Sequence, residues 1–130
     1  MASMAAVFNG VLQFPPFEGQ PNAKVPFDGT WDFTRKFEAE YELTGVGSEA
    51  VSFANLGVDG AKFVAVFYKN SLAASPAVIT VVINGGADAE QLAKGGFKIH
   101  YNPLPSAAGG ILSLALNHTA AAEVAVWAFA

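Results

Sequence analysis

From Trp31 to Leu43, in WDFTRKFEAEYEL, apolar and polar residues alternate one for one. Trp31, Phe33, Phe37, Ala39, Tyr41 and Leu43 hold one phase and Asp32, Thr34, Lys36, Glu38, Glu40 and Glu42 the other, with only Arg35 out of place. Successive side chains of a strand point to opposite faces, so a period of two over this length describes a strand with one face on a core and one in water. A helix would align Phe33, Phe37 and Tyr41 but scatter Trp31, Ala39 and Leu43 onto other faces. The spacing therefore predicts one long antiparallel strand over 31–43. Glu38, Glu40 and Glu42 then stand about 7 Å apart along its wet side. That is too far for two carboxylates to chelate one ion without further oxygens. They read as a solvated acidic row that keeps the strand from pairing with copies of itself.

The chain beyond Leu43 keeps to β signals. TGVGSE turns it into a short strand around Ala50 to Ala54, and NLGVDG is a turn carrying Asp59-Gly60. AKFVAVFYK is apolar in both phases, as expected of a strand buried on both sides or lying at a subunit contact. AVITVVI is a β-branched run ended by Asn84-Gly85-Gly86, GFKIHY sets Phe97, Ile99 and Tyr101 against Lys98 and His100, and NHTA joins the closing strands ILSLAL and AEVAVWAFA. ADAEQLAKGG alone carries helix signals, with Asp88 as N-cap, Gln91 three residues on and Gly95 as a stop; it makes at most one short helix or else an irregular edge strand. Short strands at intervals of about 8–12 residues predict an all-β, antiparallel β-sandwich of jelly-roll-like form over 31–130.

Residues 1–30 read as an extended arm of little regular structure. Pro15, Pro16, Pro21 and Pro26 each remove a backbone donor, which excludes a helix or a central strand. Phe8, Phe14, Phe17 and Phe27 recur there, although disordered segments are poor in aromatics. Phe8, Phe14 and Phe17 are therefore expected to anchor the arm in grooves, on its own domain or on a neighbour. Apolar residues run through Trp127 and Phe129 to Ala130, so this end of the chain is expected in the core or at an interface between chains.

Composition narrows the function. Hydrophobic residues make up 52% of the 130 positions and charged residues 14%, against roughly 25% charged in an ordinary soluble domain. Part of the surface must be apolar, and large apolar patches mark partner faces. A net charge of −4, with basic residues scattered singly, offers phosphates no stripe and argues against nucleic acid. No run reaches the ~20 apolar residues of a spanning helix, and the first residues lack the basic start of a signal peptide. No cysteine is present, so there is no thiol nucleophile, disulfide frame or thiolate zinc site.

No constellation of catalytic residues stands out. His100 and His118, the latter placed in a turn, lack a visible third ligand and any nucleophile-elbow motif. The glycine pairs sit where turns need them rather than in a phosphate loop. Asn117-His118-Thr119 is a formal glycosylation triplet. Trp31, Tyr41, Tyr68, Tyr101 and Trp127 suggest a second reading, a carbohydrate-binding module with stacking rings, although Trp31, Tyr41 and Trp127 are in phase with apolar neighbours and fit packing better.

AVITVVINGG, then GGFKIHYNPLPSAAGGILSLAL, then NHTAAAEVAVWAFA resembles small β-sandwich proteins encoded among bacteriophage structural genes, over about the last fifty residues. The resemblance implies a non-enzymatic virion component, such as a head decoration or cement protein, assembled in the host cytoplasm. Its implied partners are copies of itself, as a homo-oligomer, and a major capsid or other virion protein. It brings no catalytic residue, cofactor or metal. The interface residues expected from the aromatic arm and the apolar last strand are Phe8, Phe14, Phe17, Trp127 and Phe129.

Overall fold

The computed structural model describes residues 4–14, 23–86, 89–101 and 110–130, with side chains from Phe33 onward. Its strands are β1 (Met4–Phe14), β2 (Ala23–Phe33), β3 (Lys36–Leu43), β4 (Gly47–Ser52), β5 (Phe63–Ser71), β6 (Ile79–Ile83), β7 (Ala89–Leu92), β8 (Phe97–Tyr101), β9 (Ser113–His118) and β10 (Ala122–Phe129). Among the described residues the one helical element is a 3-10 turn at Ala54–Leu56, and no helix is long and apolar enough to cross a membrane. Two units result, Met1–Thr34 and Arg35–Ala130, so the division falls at Thr34/Arg35 rather than at residue 30.

The first unit is a regular hairpin where the prolines had suggested an arm of little regular structure. β1 and β2 pair antiparallel without a bulge, from Met4 opposite Phe33 to Phe14 opposite Ala23. Pro26 sits inside β2, opposite Val11. Both strands of a two-stranded sheet are edges, so alternate N–H groups face away from the partner and a proline is tolerated. Pro15, Pro16, Phe17 and Pro21 lie outside the described residues. Residues directly opposite share a face. One face therefore holds Met4, Ala6, Phe8, Gly10, Leu12 and Phe14 with Phe33, Trp31, Gly29, Phe27, Val25 and Ala23, all apolar or glycine. Ala5, Val7, Asn9, Val11, Gln13, Lys24, Pro26, Asp28, Thr30 and Asp32 fall on the other.

The second unit has two antiparallel four-stranded sheets, ordered β3-β10-β5-β8 and β4-β9-β6-β7. β3 pairs with β10, β4 with β9, β5 with β8 and β6 with β7. These are the pairings of one long hairpin folded at the β6–β7 turn. Winding that ribbon on itself adds the contacts β10–β5 and β9–β6. An antiparallel β-sandwich follows, and its core lies between the sheets: Val64, Val66, Tyr68, Val124 and Val126 from one side meet Val51, Ile79, Val81, Leu114 and Leu116 from the other. The buried Tyr68 hydroxyl donates to the Ala77 carbonyl at 2.9 Å, so its burial leaves no orphaned polar atom.

Three local expectations change. The alternation over 31–43 is two strands, not one, and its misfit residue marks the break. Arg35 N–H donates to Ala130 O at 2.9 Å, Ala130 N–H returns to Arg35 O at 3.0 Å, and the Arg35 guanidinium donates to Leu56 O at 3.0 Å. The segment read as a possible helix is the edge strand β7; Asp88, its expected N-cap, lies outside the described residues. Four residues paired along β6, from Ile79–Leu92 to Val82–Ala89, outweigh a helix too short to sustain itself. Finally, the strand expected around Ala50 to Ala54 is Gly47–Ser52, because the chain tightens into the 3-10 turn from Ala54.

The β6–β7 turn is fixed by Asn84. Asn84 and Gly85 have φ of 53° and 64°, and Gly86 N–H donates to Ile83 O at 3.0 Å, the pattern of a primed hairpin turn. The Asn84 amide also accepts from Leu112 and Ser113 N–H at 2.7 and 3.1 Å and donates to Gly110 O at 3.0 Å. Asn84→Ala should lose about 2 kcal/mol in urea denaturation, from these bonds and a left-handed backbone. Asn84→Gly should recover only the backbone part.

Candidate interaction surface

The outward faces of the two sheets differ in chemistry. On β4-β9-β6-β7 the outward phase carries Ser48, Ala50, Ser52, Asn117, Ala115, Ser113, Thr80, Val82, Ala89 and Gln91, a mostly small and polar set without an aromatic ring. On the other sheet the register places Phe97, Ile99 and Tyr101 of β8 beside Phe67, Ala65 and Phe63 of β5, and these beside Ala125, Trp127 and Phe129 of β10. The strand read as apolar in both phases is thus β5, with Val64 and Val66 in the core and its phenylalanines on this outer face.

The rings form two groups of three, one centred on Phe67 and one on Phe63. Phe67 stacks on Phe97 at 5.8 Å and meets Trp127 edge-on at 5.4 Å, while Phe63 lies 6.0 Å from Phe129 and 6.4 Å from Tyr101. Such pairs stabilise by about 0.5–1.5 kcal/mol beyond burial. Phe97 remains 57% exposed and Tyr101 42%, with Trp127 and Phe129 half-buried. Trp127 and Phe129, two of the expected interface residues, therefore share one surface. Phe8 and Phe14 share the apolar face of the hairpin by register, and Phe17 lies outside the described residues.

β8 turns the other way from a simple inside-outside reading, with its aromatic phase outward. Lys98 and His100 sit opposite Val66 and Val64 on the core side. The Lys98 ammonium, its side chain only 15% exposed, pairs at 2.7 Å with Glu90 of β7 in the other sheet. An inward charge on an edge strand discourages further pairing there. Joined to Glu90, it closes the open side of the sandwich. Sequence alternation could identify the two phases of β8 but not which one the neighbouring sheet would face.

The acidic row borders the aromatic layer on β3. Glu38 lies opposite Trp127, Glu40 opposite Ala125 and Glu42 opposite Glu123. Lys36 and the Trp127 indole hydrogen-bond Glu38 and hold its carboxyl below the usual carboxylate range, while Glu40, 2.7 Å from Lys69, raises the lysine above its ordinary value. A lowered carboxylate contributes above its unfolded pKa and loses that contribution as pH falls through the folded value. A raised lysine contributes below its unfolded pKa and loses it as pH rises through the folded value. Because these pairs are open to water, replacing Glu38, Glu40 and Glu42 together by alanine should barely change thermal melting at neutral pH. Light scattering on prolonged storage should instead increase, because the bordering charges are gone. A large melting loss would show that the row holds the fold.

Two clefts adjoin this row. One, of about 230 Å³, is lined by Glu40, Tyr41, Glu42, Lys69, Glu123 and Val124. The other, of about 390 Å³, runs from Glu40 and Glu42 past Glu49 to His118. Burial pushes the Tyr41 hydroxyl above its ordinary pKa, and Glu49 adds to this. His118 is not in a turn; it ends β9 and is 7% exposed. Its Nδ1 lies 2.7 Å from Gly45 O, which can only accept, so Nδ1 carries the proton. Thr119 Oγ1 accepts from Val78 N–H at 2.9 Å, which gives the Asn117-His118-Thr119 triplet a structural use. Among the described residues no group of three or more His, Asp or Glu is placed to hold a metal ion.

Comparison with known proteins finds no matching family model, curated protein or solved structure. The surface chemistry itself therefore carries the functional argument.

Proposed function

We propose that this chain is a non-enzymatic structural protein of a virus particle, joined to copies of itself and to a shell protein through the aromatic outer face of the β3-β10-β5-β8 sheet. One observation carries the reading: of the two outer faces, one is mostly small and polar and the other carries six aromatic rings. Contiguous apolar surface with a charged border is the pattern of a protein contact. The strand order supports the finer fold reading, a jelly roll wound from a single hairpin, an architecture used by capsid domains and also by lectins. The resemblance of the last fifty or so residues to phage structural β-sandwich proteins points to the former. A sugar site would set exposed rings beside hydrogen-bonding groups; here Phe97 and Phe67 stack on each other.

The test is sedimentation of the chain with assembled shells of the phage that encodes it. The chain should pellet with shells and remain in solution without them, and Phe97→Asp should abolish pelleting while keeping the far-ultraviolet spectrum. A wild-type chain that stays in solution beside its own shells overturns the reading. Retention on a glycan array in its place would establish the carbohydrate alternative.

A further inference from the structure

We propose that the cleft between the edge strands β3 and β4 binds a primary ammonium group, held by His118 Nε2 and the carboxylates of Glu42 and Glu49. The aromatic face takes no part in it.

A buried histidine with a bare acceptor points to the ligand. His118 is 7% exposed and its Nδ1 proton goes to Gly45 O, so Nε2 presents a lone pair. Nε2 has no hydrogen-bond partner among the described residues. Yet no buried side-chain nitrogen or oxygen among them lacks a partner, so Nε2 is itself open to water. The cleft of about 390 Å³ that His118 lines supplies the opening, and Gly47, directly opposite His118 on β4, also lines it. A Cβ at Gly47 would stand 3.3 Å from Nε2 and 3.4 Å from Cε1 of the ring. Gly47 is not among the glycines with positive φ, so what its bare Cα provides is room at that nitrogen.

The charge of the cleft selects a cation. Glu40, Glu42 and Glu49 line it, and no lysine or arginine does among the described residues. Glu40 is taken by Lys69 at 2.7 Å, whereas Glu42 and Glu49 pair with no cation among the described residues. Glu42 also stands opposite Glu123, a like-charge pair that a cation would relieve. The far side of the sandwich shows what fits such a place. There Glu90, opposite Val81 in the core phase of edge strand β7, takes the Lys98 ammonium of edge strand β8 at 2.7 Å. On the near side β4 sets the half-buried Glu49 opposite Leu116, in the core phase again, and β3 offers Tyr41 rather than a lysine. An ammonium from outside would do there what Lys98 does across the fold. With no group of three or more His, Asp or Glu placed for a metal ion among the described residues, a donor of hydrogen bonds fits better than a coordinated metal. An ammonium has three rotatable donors for one nitrogen and two carboxylates on different strands. The planar fork of a guanidinium suits a single carboxylate instead.

Titration of the full-length chain carrying isotope-labelled histidine, followed by the imidazole nitrogen resonances at neutral pH and low salt, tests this. The probes are Nα-acetyl-lysine N-methylamide and butylammonium, with Nα-acetyl-norleucine N-methylamide as the uncharged counterpart; His100→Gln assigns the His118 signals. Nδ1 should carry the proton. The lysine probe should shift Nε2 saturably and the norleucine probe should not. Gly47→Ala, which fills the space at Nε2, should abolish the shift, and Glu49→Gln should raise the half-saturating concentration about tenfold. If Gly47→Ala displaces the ring, seen as loss of the protonated Nδ1 signal, Glu42→Gln replaces it and should weaken binding as Glu49→Gln does.

Saturation by the lysine probe without butylammonium assigns the cleft to a lysine side chain of another protein, and equal saturation by both assigns it to primary amines at large. An Nε2 that moves with neither amine overturns the proposal. So does a shift that Gly47→Ala with its ring in place, or Glu49→Gln, leaves unchanged, since the amine then sits elsewhere on the acidic row. Saturation by calcium chloride at a lower concentration than either amine would make the cleft a metal site and overturn it too. Each of these failures leaves the particle reading standing, because that reading is tested through Phe97→Asp and assembled shells.

Discussion

Leu116→Ala is expected to lower the unfolding free energy by about 2–5 kcal/mol, enough to leave the sandwich marginal at room temperature. Leu116 is 0% exposed, in the middle strands of its sheet, between Glu49 of β4 and Val81 of β6. Its side chain sits in the core cluster with Ile79, Leu114 and Val126. Removing three carbons there loses transfer free energy and leaves a cavity that two hydrogen-bonded sheets cannot collapse around. Urea denaturation should show the transition midpoint falling with the slope unchanged. Leu112→Ala, at a position 46% exposed, should move it little. Equal effects at the two sites would contradict the placement of the core.

Gly60→Ala is expected to cost nearly as much, by a different mechanism. Gly60 has a φ of 65°, and a methyl group there would overlap the carbonyl oxygen of Ile111. That oxygen accepts from Ala61 N–H at 2.8 Å, and Ala61 O accepts in turn from Ile111 N–H at 3.2 Å, so the backbone cannot move aside without breaking the Ala61–Ile111 bridge. A left-handed alanine costs about 1–2 kcal/mol and each lost hydrogen bond about 1 more, giving about 3–4 kcal/mol. Gly85→Ala isolates the first term, because Gly85 has a φ of 64° with open space around it. The measurement is the difference between these two variants in chemical denaturation. A difference near zero would mean that the close approach at Ile111 is relieved at no cost.

Much of the fold was legible because strands write their period into the chain. Phe37, Ala39, Tyr41 and Leu43 take the inner side of β3 and Glu38, Glu40 and Glu42 the outer side, as alternation requires. Asn84-Gly85 marks a hairpin turn because few other pairs accept two positive φ angles. Arg35 was legible too, as an interruption, but its meaning was not. An arginine that breaks a pattern can be a flaw in one strand or the junction of two, and only the carbonyls of Leu56 and Ala130 decide.

The candidate surface was less legible, for a physical reason. Alternation gives relative phase along one strand; it says nothing about which phase meets the other sheet. On β8 the apolar phase faces outward, because Lys98 reaches Glu90 across the open side while Phe97 stacks on Phe67. Likewise the prolines of residues 15–26 report which donors are missing, but not that Pro26 would fall where a two-stranded sheet tolerates the loss. His118 carried no local sign of burial, because its partner, Gly45, lies 73 residues away in sequence. By itself the sequence determined an antiparallel β-sandwich, an acidic row on β3 and an excess of apolar surface, since these depend on local periodicity and composition. The tertiary structure decided where that excess goes. Strand order sets β8, β5 and β10 side by side, and adjacency between distant segments is what turns scattered aromatic residues into one face.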